Sequence, residues 1–245
     1  MNKTKYLIGI DDTDNLNSRG TGYVVRELAR RLKEAGIAEP HCVSRHQLFF
    51  HPDIPYTSHN SSACLEVDSE KHDELKAFCR SYLLEVAAEG SDAGLCIVAF
   101  EAVSEEQIQW GLRAKKEILT KDSARELAQR HNIFLEGLTG TRDGIIGSLA
   151  ACGLRKYGND GRILMLAADF RSFTGAINAE MICRNFHIQN IFDNFDVPIP
   201  PDAVISLAEG WKPVLKNGTY TLIVEKDGEH TWKSISKDYL RSISS

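Results

Sequence analysis

Three carboxylates fall within four residues near the start of the chain. Asp11, Asp12 and Asp14 follow the apolar run KYLIGID (5–11), which is typical of a buried strand that ends at a surface. Like charges this close repel one another by roughly 1 kcal/mol or more per pair, so the cluster favours a compensating cation. Such hard oxygen ligands suit a Mg²⁺ ion that holds the phosphates of a nucleotide. The alternative is an Asx-rich turn in which Asp12 or Asp14 caps the next helix, but capping needs one acid rather than three.

A possible anion site follows at the entrance to the first predicted helix. Apolar residues recur at helical spacing over about 21–35, and a glycine stands at the C-terminal cap position. Free backbone N–H groups at the start of a helix favour an anion, so Arg19, Gly20 and Gly22 are candidate phosphate-site residues. The Thr21 hydroxyl could bind a phosphate or transiently accept a phosphoryl group, or it could simply cap the helix. The spacing does not match GxxxxGK[ST], which excludes a P-loop.

A second glycine-rich turn leads into another predicted helix. Residues 137–147 contain four glycines together with Arg142 and Asp143. Such a turn can present backbone N–H groups to a phosphate, and Arg142 could bind a phosphate oxygen. We therefore take Arg142, Asp143 and Gly144 as candidate nucleotide-site residues. The same small residues could instead let the helix pack tightly against a sheet.

A polar loop is predicted between two strands at about 42–50 and 62–67. Several of its side chains are suited to lining a cleft, although their spacing fits no metal motif. They are His46, His51, His59, Asn60, Ser61 and Ser62. The alternative is that these residues are ordinary polar side chains of an exposed loop and have no function in binding.

Hydrophobic periodicity predicts the elements that must position these groups. Through about residue 103 the order is strand, helix, strand, strand, helix, strand, which is the split βαβ pattern of a ferredoxin-like sandwich. Helices follow at about 104–119 and 122–131, then the glycine-rich turn with its helix and a strand at about 161–170. Asp227-Gly228 predicts a hairpin near the C-terminus. The fold class is therefore α/β (α+β), with a domain boundary near residue 135.

Composition disfavours several classes of protein. The 245 residues contain 29 Lys+Arg and 34 Asp+Glu, and a net charge of −5 disfavours strong stand-alone binding of nucleic acid. No apolar stretch approaches the roughly 20 residues of a membrane helix, and the N-terminus does not resemble a secretory signal, so we expect a cytoplasmic protein with no membrane partner. The six cysteines show no CxxC or CxxH spacing, which predicts reduced core thiols.

Six motifs together carry a family resemblance. They are GIDDTD (9–14), RGTGY (19–23), HPDIPYTSHNSSACL (51–65), GTRDGIIGSLAACG (140–153), NIFDNFD (190–196) and GWKPVLKNG (210–218). In order and spacing they resemble the tRNA-Ile 2-agmatinylcytidine synthetase family. GIDDTD and RDGIIGSLAA are the most specific of them.

The resemblance implies a kinase-like α/β domain without a P-loop (1–135), followed by a ferredoxin-like α+β domain (136–245). It implies an enzyme that uses ATP and Mg²⁺ to phosphorylate the C2 carbonyl oxygen of the anticodon cytidine, after which agmatine displaces the phosphate. The implied catalytic residues are Asp11, Asp12 and Thr21, and the implied metal ligands are Asp11, Asp12 and Asp14. The implied cofactor-binding residues are Arg19, Gly20, Gly22, Arg142, Asp143 and Gly144.

The chain departs from the family pattern in three places. The loop between Asp14 and Gly20 is longer than in the family and the run before Tyr23 is shorter, which affects the register of Thr21. The tryptophan and basic residues expected after the IP pair are Tyr56, Thr57, Ser58 and His59 here. The OB fold and zinc ribbon, the parts of such enzymes that should hold tRNA, have no counterpart in these residues.

We therefore expect a homologue of the catalytic half of such an enzyme. It would perform ATP- and Mg²⁺-dependent phosphoryl or nucleotidyl transfer to a small molecule, or to an RNA presented by a partner. One form of this expectation is a subunit that supplies catalysis to a separate tRNA-binding chain. The alternative is a non-catalytic nucleotide-binding or regulatory module on the same scaffold.

Overall fold

A computed structural model describes residues 3–56, 59–236 and 239–240. Within them, one sheet of twelve strands is combined with six α-helices, which confirms the predicted α/β class. The strands are β1 (Thr4–Asp11), β2 (Glu39–Gln47), β3 (Ser61–Ser69), β4 (Gly94–Ala99), β5 (Phe134–Gly137), β6 (Arg162–Leu166), β7 (Gly175–Asn178), β8 (Asn190–Asp193), β9 (Val204–Leu207), β10 (Val214–Lys216), β11 (Thr219–Lys226) and β12 (Thr231–Ser234). The helices are α1 (Thr21–Glu34), α2 (His72–Val86), α3 (Glu105–Ala114), α4 (Lys121–Arg130), α5 (Ile145–Tyr157) and α6 (Ala179–Phe186).

The first six regular elements follow the predicted order β1, α1, β2, β3, α2, β4. Their strands pair in the order β4-β1-β3-β2, and every neighbouring pair is antiparallel. This is the split βαβ arrangement of a ferredoxin-like sandwich. It places β1 inside the sheet, so the residues that follow Asp11 leave the sheet between two neighbouring strands.

Strand β1 is buried on both faces of the sheet. Leu7 belongs to a core that includes residues of α3, α4 and α5, whereas Ile8 and Ile10 belong to a second core with residues of α1 and α2. All three side chains are fully buried. A strand covered on both sides needs apolar residues at successive positions, which explains the continuous apolar run in the sequence.

Helix α5 lies very close to the strands beneath it. A Cβ atom built on Gly9 would lie 1.9 Å from the carbonyl oxygen of Ser148, and one on Gly94 would lie 2.2 Å from that of Gly144. The glycines at these contacts therefore allow the helix and the sheet to approach, as the packing alternative predicted. Helix α5 ends at Gly158, which adopts φ +81° as a left-handed C-cap.

Strand β5 pairs with β4 at one edge of this unit, and the strands that follow extend the same sheet beyond β2. Strand β6 pairs with β2 and contacts β10, and β10 continues through β11, β12 and β9 to β7. The predicted hairpin is confirmed, because β11 and β12 pair antiparallel around Asp227-Gly228. A further core here includes Phe170, Phe186 and Trp211. The ferredoxin-like strand order lies before residue 135, and the division into two domains at that point stays a prediction.

The structure also bears on two predictions made from composition, the lack of a membrane-spanning helix and the reduced state of the cysteines. In the part of the chain that the structure describes, no helix is long and apolar enough to cross a membrane. All six cysteines are free and five are buried, so the predicted core thiols are confirmed. The cytoplasmic location stays a prediction.

Candidate functional site

The acidic cluster lies at the C-terminal end of β1, on the wall of a cavity of about 220 Å³. Asp12 adopts a left-handed conformation (φ +51°), which redirects the chain out of the sheet immediately after the strand. The cavity is lined by Asp11, Asp12, Asp14, Thr21, Asp53, Ile54, Pro55, Tyr56, His59, Asn60, Ser61, Ile118, Leu119, Asp143, Ile146 and Gly147. The predicted carboxylates thus share one cavity with Thr21 and Asp143.

Two carboxyl groups of the acidic cluster have raised pKa values. Burial, followed by the charge of Asp12, raises the pKa of Asp11 to about 8. Burial, followed by the charges of Asp92 and Asp14, raises the pKa of Asp12 to about 6. A carboxyl group with a raised pKa at neutral pH is the usual sign of a site that binds a cation or exchanges a proton.

Asp92 is a member of the acidic cluster that was not predicted from the sequence. It lies in the turn before β4, about 80 residues after Asp12, and its charge is the second-largest cause of the raised pKa of Asp12. A lone aspartate in a polar turn carries no local signal of this kind. Only the pairing of β1 with β4 places the two turns together.

Gly147 determines how closely α5 approaches Asp11. A Cβ atom built on Gly147 would lie 1.9 Å from Oδ2 of Asp11 and 3.0 Å from Cδ1 of Leu48. Any larger residue at this position would displace the carboxylate or the helix. The small residues of the second glycine-rich segment therefore position a site carboxylate in addition to packing the helix.

Asp14 and Thr21 form a local hydrogen-bond network. The backbone N–H and the hydroxyl of Thr21 both donate to Oδ1 of Asp14, at 3.1 and 2.7 Å, and the N–H of Thr13 donates to the Thr21 hydroxyl at 3.2 Å. The carboxylate of Asp14 thus occupies the start of α1, where a helix favours an anion. Gly20 is the N-cap residue and Thr21 is the first residue of the helix, so the simple capping role for Thr21 is not what the structure shows.

The fit of a magnesium ion depends on how many carboxylates remain available. Among residues 3–56, 59–236 and 239–240, no three His, Cys, Asp or Glu side chains are grouped to hold a metal ion. Asp11 and Asp12 nevertheless fit Mg²⁺, because this ion is commonly held by one or two carboxylates together with phosphate oxygens and water. Burial and repulsion raise their pKa values, and a bound cation would oppose both effects by favouring the ionised carboxylates. The predicted three-carboxylate set, with Asp14 as a ligand, stays a prediction.

The second glycine-rich turn contributes to the cavity through Asp143. Its carboxylate lies 2.8 Å from Nζ of Lys121 and accepts a hydrogen bond from the Thr141 hydroxyl at 2.7 Å. Gly144 precedes α5, and its N–H donates to the carbonyl of Asp92. Arg142 is exposed with φ +67° and packs against Gly137, and it is not among the residues that line the cavity.

The predicted polar loop divides between the site and the protein interior. His59, Asn60 and Ser61 line the acidic cavity, and Tyr56 contributes an aromatic wall that contacts Phe50 edge to face. Thr57 and Ser58 lie outside the described residues. The other two histidines make different contacts, since His51 stacks on Phe49 and His46 is buried against Asp160.

A second cavity of about 270 Å³ adjoins the first, and the two share Asp14, Thr21, His59 and Ser61. Two of the predicted phosphate-site residues, Gly20 and Gly22, line this second cavity, whereas Arg19 stacks on the ring of Tyr23 at 4.4 Å. The remaining lining residues are Asp14, Thr21, Tyr23, Arg26, Arg45, His59, Ser61, Ser62, Ala63, Leu164, Arg171 and Lys212. The sequence did not predict that the four basic residues among them would meet, because they come from distant segments.

Curated proteins are similar to part of this chain. No family model matches the chain. An uncharacterized protein of Methanocaldococcus jannaschii is 27% identical over 157 residues, which is 62% of this chain and 51% of that protein. The tRNA-Ile 2-agmatinylcytidine synthetase TiaS of Pyrococcus horikoshii is 31% identical over 152 residues, which is 60% of this chain and 35% of that enzyme. The chain thus spans about half and about a third of the length of these two curated relatives.

Solved structures give the same result. The crystal structure of a complex of TiaS with its isoleucine tRNA and ATP has a TM-score of 0.55 and 26% identity, over 61% of this chain and 36% of that one. Apo TiaS has a TM-score of 0.54 over 80% of this chain and 48% of that one, and its 20% identity supports the fold alone. Over about 60% of its length, this chain is therefore similar in sequence and in fold to part of the tRNA-Ile 2-agmatinylcytidine synthetase, as its motifs indicated.

Proposed function

We propose that this protein is an ATP- and Mg²⁺-dependent phosphoryl-transfer enzyme that acts on a small molecule or on an RNA presented by a partner. The observation that carries the proposal is the cavity on whose wall Asp11 and Asp12 lie together, where burial and repulsion between neighbouring carboxylates raise the pKa values of both carboxyl groups. Similarity to an enzyme that has been crystallised with ATP and an isoleucine tRNA supports the substrate class.

The proposed roles follow the geometry of the acidic cavity. Asp11 and Asp12 would hold Mg²⁺, which when bound would neutralise the nucleotide phosphates and stabilise the charge that develops during transfer. The apolar wall of Ile54, Tyr56 and Ile146 offers a surface for a nucleobase. In this site the work of the protein is to position the phosphates and neutralise their charge rather than to form new covalent bonds itself.

Thr21 is the residue of the cavity that could take part more directly. Its hydroxyl donates to Asp14 at 2.7 Å, and a hydroxyl beside a carboxylate has the arrangement of a nucleophile next to a base. We propose that Thr21 is a phosphate ligand or a transient phosphoryl acceptor, with Asp14 receiving its proton. Arg142, Asp143 and Gly144 would form one border of the nucleotide site, and Lys121 supplies a cation at Asp143.

The experiment is incubation of the purified protein with γ-labelled ATP and Mg²⁺, alone and with total RNA or pooled small metabolites. We expect release of ADP and transfer of label to an acceptor, with a loss of about 100-fold or more in Asp12→Asn because positioned charge contributes that much in phosphoryl transfer. The matched control is Asp122→Asn, which removes a highly exposed carboxylate of α4.

The alternative function predicts a different result in the same experiment. A nucleotide-binding or regulatory module would bind ATP with Mg²⁺ but release no ADP with any acceptor. Label on the protein itself separates the two roles of Thr21, because a transient phosphoryl acceptor becomes labelled and loses the label in Thr21→Ala, whereas a phosphate ligand leaves the protein unlabelled. Absence of ATP binding in the intact protein would reject both functions.

A further inference from the structure

The second cavity collects positive charge from four separate parts of the chain. Arg26 comes from α1, Arg45 from β2, Arg171 from the segment after β6, and Lys212 from the segment before β10. A molecule with a net charge of −5 thus places four cationic side chains around one concave site of about 270 Å³. The second cavity is therefore basic, although the chain as a whole is acidic.

Contacts of the guanidinium groups hold this arrangement in place. Nε of Arg45 donates to the Ser61 hydroxyl at 2.8 Å, and a terminal nitrogen of Arg171 donates to the carbonyl of Leu164 at 3.2 Å. Each guanidinium has its N–H donors in a rigid fork, so contacts of this kind fix the orientation of the whole group.

Like charges lie close together in this cavity, as they do in the acidic one. Burial, followed by the charge of Arg171, lowers the pKa of Arg26. A guanidinium group that is partly buried beside a second cation indicates a place that an anion would stabilise.

Ser62 supplies an independent sign of a missing ligand. It lines the same cavity, it is fully buried, and its hydroxyl has no hydrogen-bond partner among the described residues. A buried hydroxyl is normally paired, and an unpaired one in a native site calls for a water, an ion or a ligand group. A phosphate oxygen among the basic side chains would accept this hydrogen bond.

We propose that this cavity, the basic cavity, binds a phosphate group of the acceptor substrate. The assignment to the acceptor rests on the proposed function, in which the neighbouring acidic cavity holds the magnesium nucleotide. The two cavities share Asp14, Thr21, His59 and Ser61, so a substrate phosphate in one lies next to a nucleotide phosphate in the other. The acidic cavity needs a cation before it can accept a phosphate, whereas the basic cavity needs none.

The chemical class of the ligand is a phosphate ester on a nucleotide. The size of the basic cavity suits one phosphate with its sugar, and arginine forks match phosphate oxygens in pairs. The ester could be the monoester of a free mononucleotide or the diester of a single-stranded RNA. Both present the same oxygens to the cavity, and the experiment distinguishes them.

The test measures phosphate binding without metal. In EDTA, the purified protein is titrated separately with an RNA pentamer that lacks terminal phosphates, with uridine 5′-monophosphate and with uridine, and isothermal titration calorimetry measures the affinity of each. We expect the pentamer or the monophosphate to bind and uridine to fail. Lys212→Gln and Arg171→Gln should each weaken this binding about tenfold or more, because each removes a charged donor. Tighter binding of the monophosphate assigns a free nucleotide, and tighter binding of the pentamer assigns a diester.

Three control variants keep the result interpretable. Ser62→Ala should weaken binding and leave the thermal midpoint unchanged or higher, because it removes an unpaired buried hydroxyl. Arg125→Gln removes an exposed charge of α4 and should leave binding unchanged. Asp12→Asn should retain metal-free phosphate binding. The proposal is overturned if neither phosphate ligand binds, or if all three basic-residue variants including Arg125→Gln lose affinity equally.

Failure of this inference is distinguishable from failure of the proposed function. If Mg²⁺-ATP binds and turns over while no phosphate ligand binds in EDTA, the basic cavity has been misassigned and the proposed function stands. If phosphate ligands bind in EDTA while Mg²⁺-ATP does not bind, the basic cavity is a phosphate site and the proposed function is wrong.

Discussion

At the scale of single residues, the carboxyl groups of Asp11 and Asp12 lower the stability of the folded protein at neutral pH. The folded state raises the pKa of Asp11 to about 8 and that of Asp12 to about 6, from an ordinary value of 3.8. Between about pH 4 and pH 8 the folded state therefore binds more protons than the unfolded chain at these two groups. By linkage, their contribution to the free energy of unfolding decreases as the pH rises through that range. A bound cation would reverse this penalty.

Asp12→Asn should therefore stabilise the protein at neutral pH. The amide keeps the shape of the carboxylate and removes its charge, so we expect the free energy of unfolding at pH 7.5 to rise by roughly 1 to 2 kcal/mol after allowance for solvent screening. The gain should shrink towards pH 4, where the wild-type group is protonated. Urea unfolding at pH 4.5 and pH 7.5 measures both effects. Asp122→Asn is the control, and a loss of stability in Asp12→Asn at pH 7.5 would contradict uncompensated charge as the cause.

Gly147→Ala should destabilise the protein through a steric conflict between α5 and Asp11. The new Cβ would lie 1.9 Å from Oδ2 of Asp11, so the carboxylate or α5 must move, at a cost of about 1 to 3 kcal/mol of stability. Thermal unfolding checks the loss. The double variant Asp11→Ala/Gly147→Ala removes the atom that clashes and should be more stable than Gly147→Ala alone. Equal or lower stability of the double variant would place the clash elsewhere.

At the scale of elements, a buried polar network joins β2 to the two segments that flank it. Nδ1 of His46 donates to Asp160 at 2.8 Å, and the hydroxyl of Ser44 lies 2.8 Å from Nε2 of the same ring. Lys115, just after α3, forms a salt bridge with the other oxygen of Asp160. Burial favours a higher pKa for Asp160, but His46 and Lys115 together lower it below its usual range. The histidine predicted for a cleft therefore helps to hold the sheet together.

Asp160→Asn should destabilise the protein strongly. Removal of one partner leaves Lys115 largely buried without its counter-charge, and we expect a loss of about 3 to 5 kcal/mol. Because the folded pKa of Asp160 is lowered, its contribution is complete above the unfolded pKa of about 4 and is lost as the pH falls below it. Urea unfolding of wild type and variant at pH 7 and pH 3 should show that the difference between them shrinks in acid. An equal difference at both values would exclude this ion pair as the cause.

Prediction from sequence was most accurate for elements with a strong local pattern. The apolar spacing predicts α1 at 21–35, and the helix lies at Thr21–Glu34, since its apolar face repeats at helical spacing. The predicted end of α3 is residue 119, but the helix ends at Ala114, where the chain turns to place Leu119 in the core and Ile118 at the cavity. That boundary depends on contacts with distant residues, and periodicity carries no information about them.

At the scale of the whole molecule, two cavities of opposite charge lie side by side. Mg²⁺ should bind the acidic one and stabilise the folded protein by about 2.7 kcal/mol at a hundredfold excess over its Kd, which raises Tm by roughly 5 to 10 °C for a chain of this size. The rise in Tm should be absent from Asp11→Asn/Asp12→Asn and present in Lys212→Gln. Differential scanning calorimetry with Mg²⁺ and with Na⁺ at matched ionic strength measures it, and an equal rise in the double variant would place the ion elsewhere.

Local sequence pattern was sufficient for the parts of this protein that depend on neighbours along the chain. The βαββαβ order, the acidic turn after β1, the hairpin at Asp227-Gly228 and the resemblance to the synthetase were all visible in it. Which side chains share a site emerged only from the folded arrangement. Asp92 lies close to Asp12 because β1 pairs with β4. Asp14 accepts hydrogen bonds at the start of α1, and four basic residues from distant segments line one cavity. The difference arises because hydrophobic period and turn chemistry act over a few residues, whereas the electrostatics of a site depend on the packing of the whole sheet.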